Sequence, residues 1–204
     1  MASTSSPIGF QAISDGVGTV RPLYIPNGIL SSYAANIFYG APVTMAVATG
    51  TLNAVTASTD KIFGIFQGCY FTPTGGSPTF SPFWPTGSTF ACAAGTNNAL
   101  EQMYAVIIPA WIPGIRFRCQ ADGAVAQALL GSQFIVSNFV VGSTVTGMSQ
   151  ATVAAAGVNA ASQGQFFLEE FYPGINSAVG DAYTDLIVGV AYPQVGHGFQ
   201  ASIG

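Results

Sequence analysis

The stretch Ile115-Arg116-Phe117-Arg118-Cys119-Gln120 decides the fold class of this chain. Apolar and polar residues alternate at each step, which is the period-two pattern of a β-strand with one face on a core. The next three residues, Ala121-Asp122-Gly123, predict a turn, because an Asp side chain can bond its own backbone and Gly tolerates positive φ. The stretch therefore predicts a half-buried strand that ends in a tight turn.

Segments with strand character recur along the chain, separated by turns rich in Gly, Pro and Ser. Besides residues 115–120, we predict strands at residues 20–24, 42–48, 62–71, 102–108, 134–141, 144–153, 165–172 and 186–192. Residues 31–39 favour a brief helical turn capped by Ser31 or Ser32. The pattern indicates an all-β fold, a β-sandwich or barrel with the jelly roll as one form of it, built from about eight short strands and long Gly/Pro/Ser loops.

The sequence of 204 residues has no break in composition, so it fits one domain. We expect an N-terminal arm at residues 1–20, a single β domain at residues 21–192 and a C-terminal tail at residues 193–204. Cys69, Cys92 and Cys119 are odd in number and far apart, which predicts buried thiols in a reducing cytoplasm. The first residues have neither a basic nor an apolar region, so we expect no secretory signal.

Charge is scarce: Lys and Arg number 4, Asp and Glu number 8, and charged residues make up 6% of the chain. Ordinary soluble proteins have roughly 25%, and mixed surface charge is what normally opposes association. Stretches without any charge span residues 22–59, 62–100 and 123–168. We therefore expect other subunits to cover much of the surface, and we select Phe83, Trp84, Trp111, Arg116 and Arg118 as candidate interface residues.

Two partner classes are disfavoured by the same composition. The longest apolar stretch, residues 104–115, is interrupted by Pro109, Pro113 and Gly114 and is shorter than the roughly 18 residues that a spanning helix needs. A net charge of -4 offers no positive field for a phosphate backbone. We expect neither a membrane nor a nucleic acid among the partners.

Catalytic and metal-binding patterns are missing from the sequence. His197 stands alone, away from any Cys, so no zinc site is expected. Glu169 and Glu170 are adjacent and should point to opposite faces of a strand, which disfavours a catalytic carboxylate pair. Asp181 and Asp185 are explained by a turn and a strand start. We expect no enzyme, no cofactor, no metal and no catalytic residue.

Five short strings of the chain are distinctive: Pro7-Ile8-Gly9-Phe10, Tyr39-Gly40-Ala41-Pro42-Val43, residues 80–89 with Trp84-Pro85, Phe117-Arg118-Cys119-Gln120-Ala121-Asp122-Gly123, and residues 142–149. Together they resemble a family of small structural proteins of tailed bacteriophages, encoded near the major capsid protein and thought to decorate or cement the head. The resemblance runs nearly end to end, although Ala41 stands where the family tends to have Asp and Arg118 where it usually has an acid.

The resemblance implies a structural protein of the virion, made in the host cytoplasm, that lies on the capsid surface. Its partners would be the major capsid protein and itself, as a homotrimer, and it would cement an icosahedral phage head by bridging capsid subunits. Two alternatives stay open. One is a glycan- or host-surface-binding β-module that uses residues 80–90, since sugars stack on rings such as those of Trp84 and Trp111. The other is a major jelly-roll coat subunit that closes shells by itself.

Overall fold

A computed structural model describes residues 4–13, 20–90, 103–157, 163–174 and 177–195. Within these ranges the regular structure is thirteen short strands and a single 3₁₀ turn at Gln127–Leu129, which confirms the all-β fold class. The strands are β1 Gln11–Ile13, β2 Leu23–Pro26, β3 Pro42–Ala46, β4 Thr51–Ala54, β5 Gly64–Phe71, β6 Thr79–Ser81, β7 Tyr104–Pro109, β8 Arg116–Gln120, β9 Gln133–Phe134, β10 Val136–Ser137, β11 Thr152–Val153, β12 Phe166–Phe171 and β13 Asp185–Val190.

The strands form two large antiparallel sheets, an arrangement consistent with a β-sandwich. One sheet has the order β1-β8-β13-β12-β9, and the other has the order β2-β7-β5-β3-β4 with β6 paired to β5. A further small sheet pairs β10 with β11. Among the described residues no strand pairing closes either sheet into a barrel.

The alternation that predicts β8 is confirmed. Phe117 and Cys119 are buried, whereas Arg116 and Arg118 face outward and are partly exposed. β8 lies between β1 and β13 in the five-stranded sheet. The turn after β8 differs in detail, because the Asp122 carboxylate accepts a hydrogen bond from the N–H of Ala155 at 2.8 Å, in another segment.

Apolar side chains form two cores, one on each face of the six-stranded sheet. Ile108 of β7 belongs to the first core, which also contains the five-stranded sheet's inward residues and Phe10, stacked on Phe166 with ring centroids 4.5 Å apart. Its neighbour Ile107 belongs to the second core, which loop residues such as Trp84 complete. Because successive strand residues point to opposite faces, both faces of the sheet are covered around Ile107 and Ile108.

The helical turn predicted at residues 31–39 is wrong. Ser32 has φ 64, a left-handed conformation that interrupts a right-handed helix. Ile37 and Tyr39 instead form isolated bridges to Trp84 and Met148, so this segment is irregular backbone. Strands predicted at residues 134–141 and 144–153 are reduced to β9, β10 and β11; Asn138, with φ 53, follows the end of β10.

Both flanking segments contact the domain wherever they are described. Phe10 is fully buried and β1 pairs with β8, within the region expected to be an N-terminal arm. In the expected C-terminal tail, the side-chain amide of Gln194 donates to the Met45 carbonyl and accepts from the Met45 N–H, both at 2.6 Å. Pro193 forms a bridge with Ile62. Predictions that concern Cys92, Gln102 and His197 lie outside the described residues.

Helical membrane crossing has no candidate in the described ranges. No helix there is long and apolar enough to span a bilayer.

Candidate functional site

The two candidate arginines lie on the outer face of the five-stranded sheet, where each is tied to an acid of the same sheet. Arg116 Nε lies 2.6 Å from Glu169 Oε2, and Arg118 Nη2 donates to Asp185 Oδ2 at 2.8 Å. The Arg118 guanidinium also lies 4.0 Å from the ring centroid of Tyr172. These contacts neutralise most of the charge on this face within the chain itself.

Glu169 and Glu170 both lie on that outer face, so the prediction that they point to opposite faces is wrong. The pairing of β12 with β13 shifts from Leu168 opposite Val188 to Glu170 opposite Ile187. Glu169 is thus an extra residue in a β-bulge, and Ile187 belongs to the outward row that contains Arg118. The bulge cancels the alternation that the sequence predicts at this point.

Trp84 does not reach the surface, contrary to its selection as an interface residue. Its exposed fraction is 0%, and its ring centroid lies 5.0 Å from that of Phe71 and 6.2 Å from that of Phe90. Its Nε1 has no hydrogen-bond partner in the described structure. Phe83 is half-buried and stacks on Phe38 with centroids 5.5 Å apart. Residues 80–90 therefore place this indole in the second core.

An exposed aromatic patch lies on the six-stranded sheet and consists of Tyr24, Tyr70 and Phe80. Their exposed fractions are 52%, 46% and 49%. The ring centroids of Tyr24 and Tyr70 are 6.4 Å apart, and those of Tyr70 and Phe80 are 4.8 Å apart. We name these three residues the aromatic patch.

Gly68 makes the aromatic patch possible. It has φ 117, and a Cβ added there would lie 2.7 Å from Cζ of Phe80, so the Phe80 ring rests directly on the backbone of β5. The pairing of β5 with β7 shifts register between Phe66 and Gly68, which marks a bulge. Sequence reasoning missed the patch, and an isolated Gly inside a strand was the available signal.

A cleft of about 600 Å³ opens where the loop after β7 meets the end of β13. We name it the Trp111 cleft; its polar and aromatic lining is Trp111, Phe167, Tyr192, Lys61, Glu169 and Gln194. Trp111 packs on Phe63 with centroids 4.8 Å apart. Only Trp111 of this set was a candidate from the sequence, because the others come from distant strands and loops.

The buried thiols expected at Cys69 and Cys119 are present, and both are free. Burial raises the pKa of Cys69 to about 12. The pKa of Cys119 is raised further, first by burial and then by the negative charge of Asp185. Both groups therefore remain protonated and unreactive at neutral pH. No group of three or more metal-ligating side chains occurs in the described part of the chain.

Comparison with protein-family models, curated proteins and solved structures gives no match to this chain.

Proposed function

We propose that this chain is a structural virion protein that decorates and cements an icosahedral phage head by bridging subunits of the major capsid protein, as a homotrimer on the capsid surface. The sequence resemblance suggests this role. The observation that carries it is physical: most of the charged residues that the structure describes are ion-paired or hydrogen-bonded within the chain. A surface of this kind is poorly protected against association and suits a subunit covered by neighbours.

Two further acids, Asp60 and Asp181, illustrate how the charge is used. Asp60 accepts hydrogen bonds from the N–H groups of Thr56 and Ala57, at 2.9 and 3.0 Å. Asp181 accepts from the Ala178 N–H at 2.9 Å. In each case the carboxylate accepts from an N–H group three or four residues earlier in the chain, so the two acids stabilise local loops.

The sheet edges favour association through faces. Edge strand β1 has three residues and β9 has two. β2 has four residues, follows Pro22 and ends at Pro26. Short edges and prolines discourage the addition of a strand from another chain. Contact through an exposed face such as the aromatic patch is the remaining route, and exposed aromatic rings are frequent anchors of interfaces.

The mechanism is mass action. A protein that binds the assembled, expanded shell more tightly than the free subunits or the precursor stabilises that shell by its differential affinity. Because the contact is apolar and hydrogen-bonded, salt should screen it weakly.

Co-sedimentation with mature phage heads tests the proposal. We expect binding to persist at salt of about 1 M, and the double variant Tyr70→Ser, Phe80→Ser to bind at least about tenfold more weakly, as for two anchor rings. Val145→Ser, at a residue 95% exposed elsewhere, is the matched control and should bind normally. Complete loss of wild-type binding in high salt would contradict the apolar contact. Equal binding to unexpanded precursors would contradict the stapling role, and closed shells formed by the chain alone would favour the coat-subunit alternative.

A further inference from the structure

The Trp111 cleft has the size and lining of a small-molecule site. Its volume of about 600 Å³ falls within the range of roughly 300 to 1,000 Å³ typical of ligand pockets. Three aromatic side chains, those of Trp111, Phe167 and Tyr192, contribute to its walls. Such a combination of concavity and aromatic rings differs from the aromatic patch, which is an outward face of a sheet.

Gly189 makes room for two side chains of the cleft wall. A Cβ at this position of β13 would lie 2.5 Å from Cζ of Phe167 and 2.5 Å from Oε1 of Glu169. Both side chains therefore rest directly on the backbone of β13, and any larger residue would displace them. The Phe167 ring and the Oε1 atom of Glu169 therefore lie side by side over Gly189.

Polar groups of both kinds line the cleft. Glu169 uses Oε2 for Arg116, whereas neither its Oε1 nor the Trp111 Nε1 hydrogen-bonds to another described residue. Lys61 Nζ lies 4.7 Å from the ring centroid of Tyr192 and is exposed, with donors left for a ligand. The cleft therefore offers an acceptor at Glu169 and donors at Lys61 and Trp111.

We infer that the Trp111 cleft binds a short, uncharged saccharide. Sugar rings have apolar C–H faces that stack on aromatic rings, and their hydroxyl groups both donate and accept hydrogen bonds. A hydroxyl can donate to Glu169 Oε1 and accept from Lys61 or Trp111 at the same time. A carboxylate ligand only accepts and would leave Glu169 Oε1 without a donor, and a lipid chain would leave all of the polar groups without partners.

The two tryptophans make the inference directly measurable. Trp84 lies in the second core and Trp111 in the cleft, so a ¹H-¹⁵N spectrum contains one indole N–H signal from each place. Trp111→Phe assigns the signals and keeps a ring against Phe63. We expect titration with neutral di- and trisaccharides built from glucose, galactose, mannose or N-acetylglucosamine to shift the Trp111 signal saturably, while the Trp84 signal stays in place.

Variants separate the cleft from other surfaces. Glu169→Ala should weaken the affinity for the bound saccharide roughly tenfold, as for the loss of a hydrogen bond to a charged group. Tyr70→Ala, which removes an exposed ring of the aromatic patch, is the control and should bind normally. An unchanged Trp84 signal verifies that each variant is folded.

The inference is overturned if no saccharide of the panel shifts the Trp111 signal. It is also overturned if Tyr70→Ala abolishes binding while Glu169→Ala leaves it intact, because the sugar site would then be the aromatic patch. The assay uses the isolated chain without phage heads, so its result is independent of the decoration role.

Discussion

Replacing Trp84 with phenylalanine separates two effects of a buried indole on stability: the packing of its ring and the cost of its unpaired N–H. Trp84 is fully buried between Phe71 and Phe90, yet its Nε1–H donates to no described group. A buried donor without a partner destabilises the folded state by about 1 to 3 kcal/mol. Trp84→Phe removes this donor and keeps an aromatic ring at the same place.

The magnitude follows from the volume that is lost. An indole exceeds a phenyl ring by about 40 Å³, and a cavity of that size costs about 1 kcal/mol at roughly 24 cal/mol per Å³, in addition to about 1 kcal/mol of lost transfer energy. Removing the unpaired N–H stabilises the folded state and offsets most of the free energy lost to the cavity and to the smaller ring. We expect the free energy of unfolding to change by less than about 1 kcal/mol, whereas Trp84→Ala should lower it by about 3 to 5 kcal/mol.

Urea unfolding followed by circular dichroism measures the free energy of unfolding of both variants. An unchanged m-value is the check on two-state behaviour. A loss of more than about 3 kcal/mol in Trp84→Phe would refute the reasoning, because it would mean that the indole N–H makes a stabilising hydrogen bond. Under the proposed decoration role, both variants should still bind phage heads when folded, since Trp84 is fully buried in the second core.

Two further predictions concern Gly68 and Cys69. Gly68→Ala should lower the free energy of unfolding, measured in urea, by at least about 1 kcal/mol. A side chain at φ 117 is strained and would collide with the Phe80 ring. An unchanged free energy of unfolding would contradict this packing. Because burial raises the pKa of Cys69 from 9.0 to about 12, the unfolded chain loses the thiol proton first, so this thiol's contribution to stability should fall as pH rises from 9 toward 12. Urea unfolding of Cys69→Ala, which lacks that titration, should show a smaller decline over the same interval.

Local periodicity was sufficient to predict the fold class and the half-buried strand β8. The alternation around Phe117 is a property of successive residues, and the same residues form the strand. Bulges defeat this reasoning, because the extra residue at Glu169 turns two neighbours to the same face without a local signal. The chain bends after β8 as predicted, but the Asp122 carboxylate accepts from the N–H of Ala155, in a distant segment, and this partner has no local signal either.

The candidate sites depend on contacts between distant segments, so the sequence predicted them only in part. Trp84 and Trp111 look similar in the sequence, because each lies within two residues of a proline. The structure places one in the second core, where Phe71 and Phe90 surround it, and the other in a cleft. Tyr24 and Tyr70 become neighbours only because β2 and β5 both pair with β7.

The side-chain amide of Gln194 affects how readily β3 can pair with a strand of another chain. β3 pairs with β5 only at Pro42 and Val43, and past that point the backbone groups of Met45 would remain open on that side. The Gln194 side chain occupies both groups, as one residue of an added strand would. Gln194 therefore blocks this part of β3 from pairing with a strand of another copy of the chain. Such protection matters in a chain with few charges to oppose association.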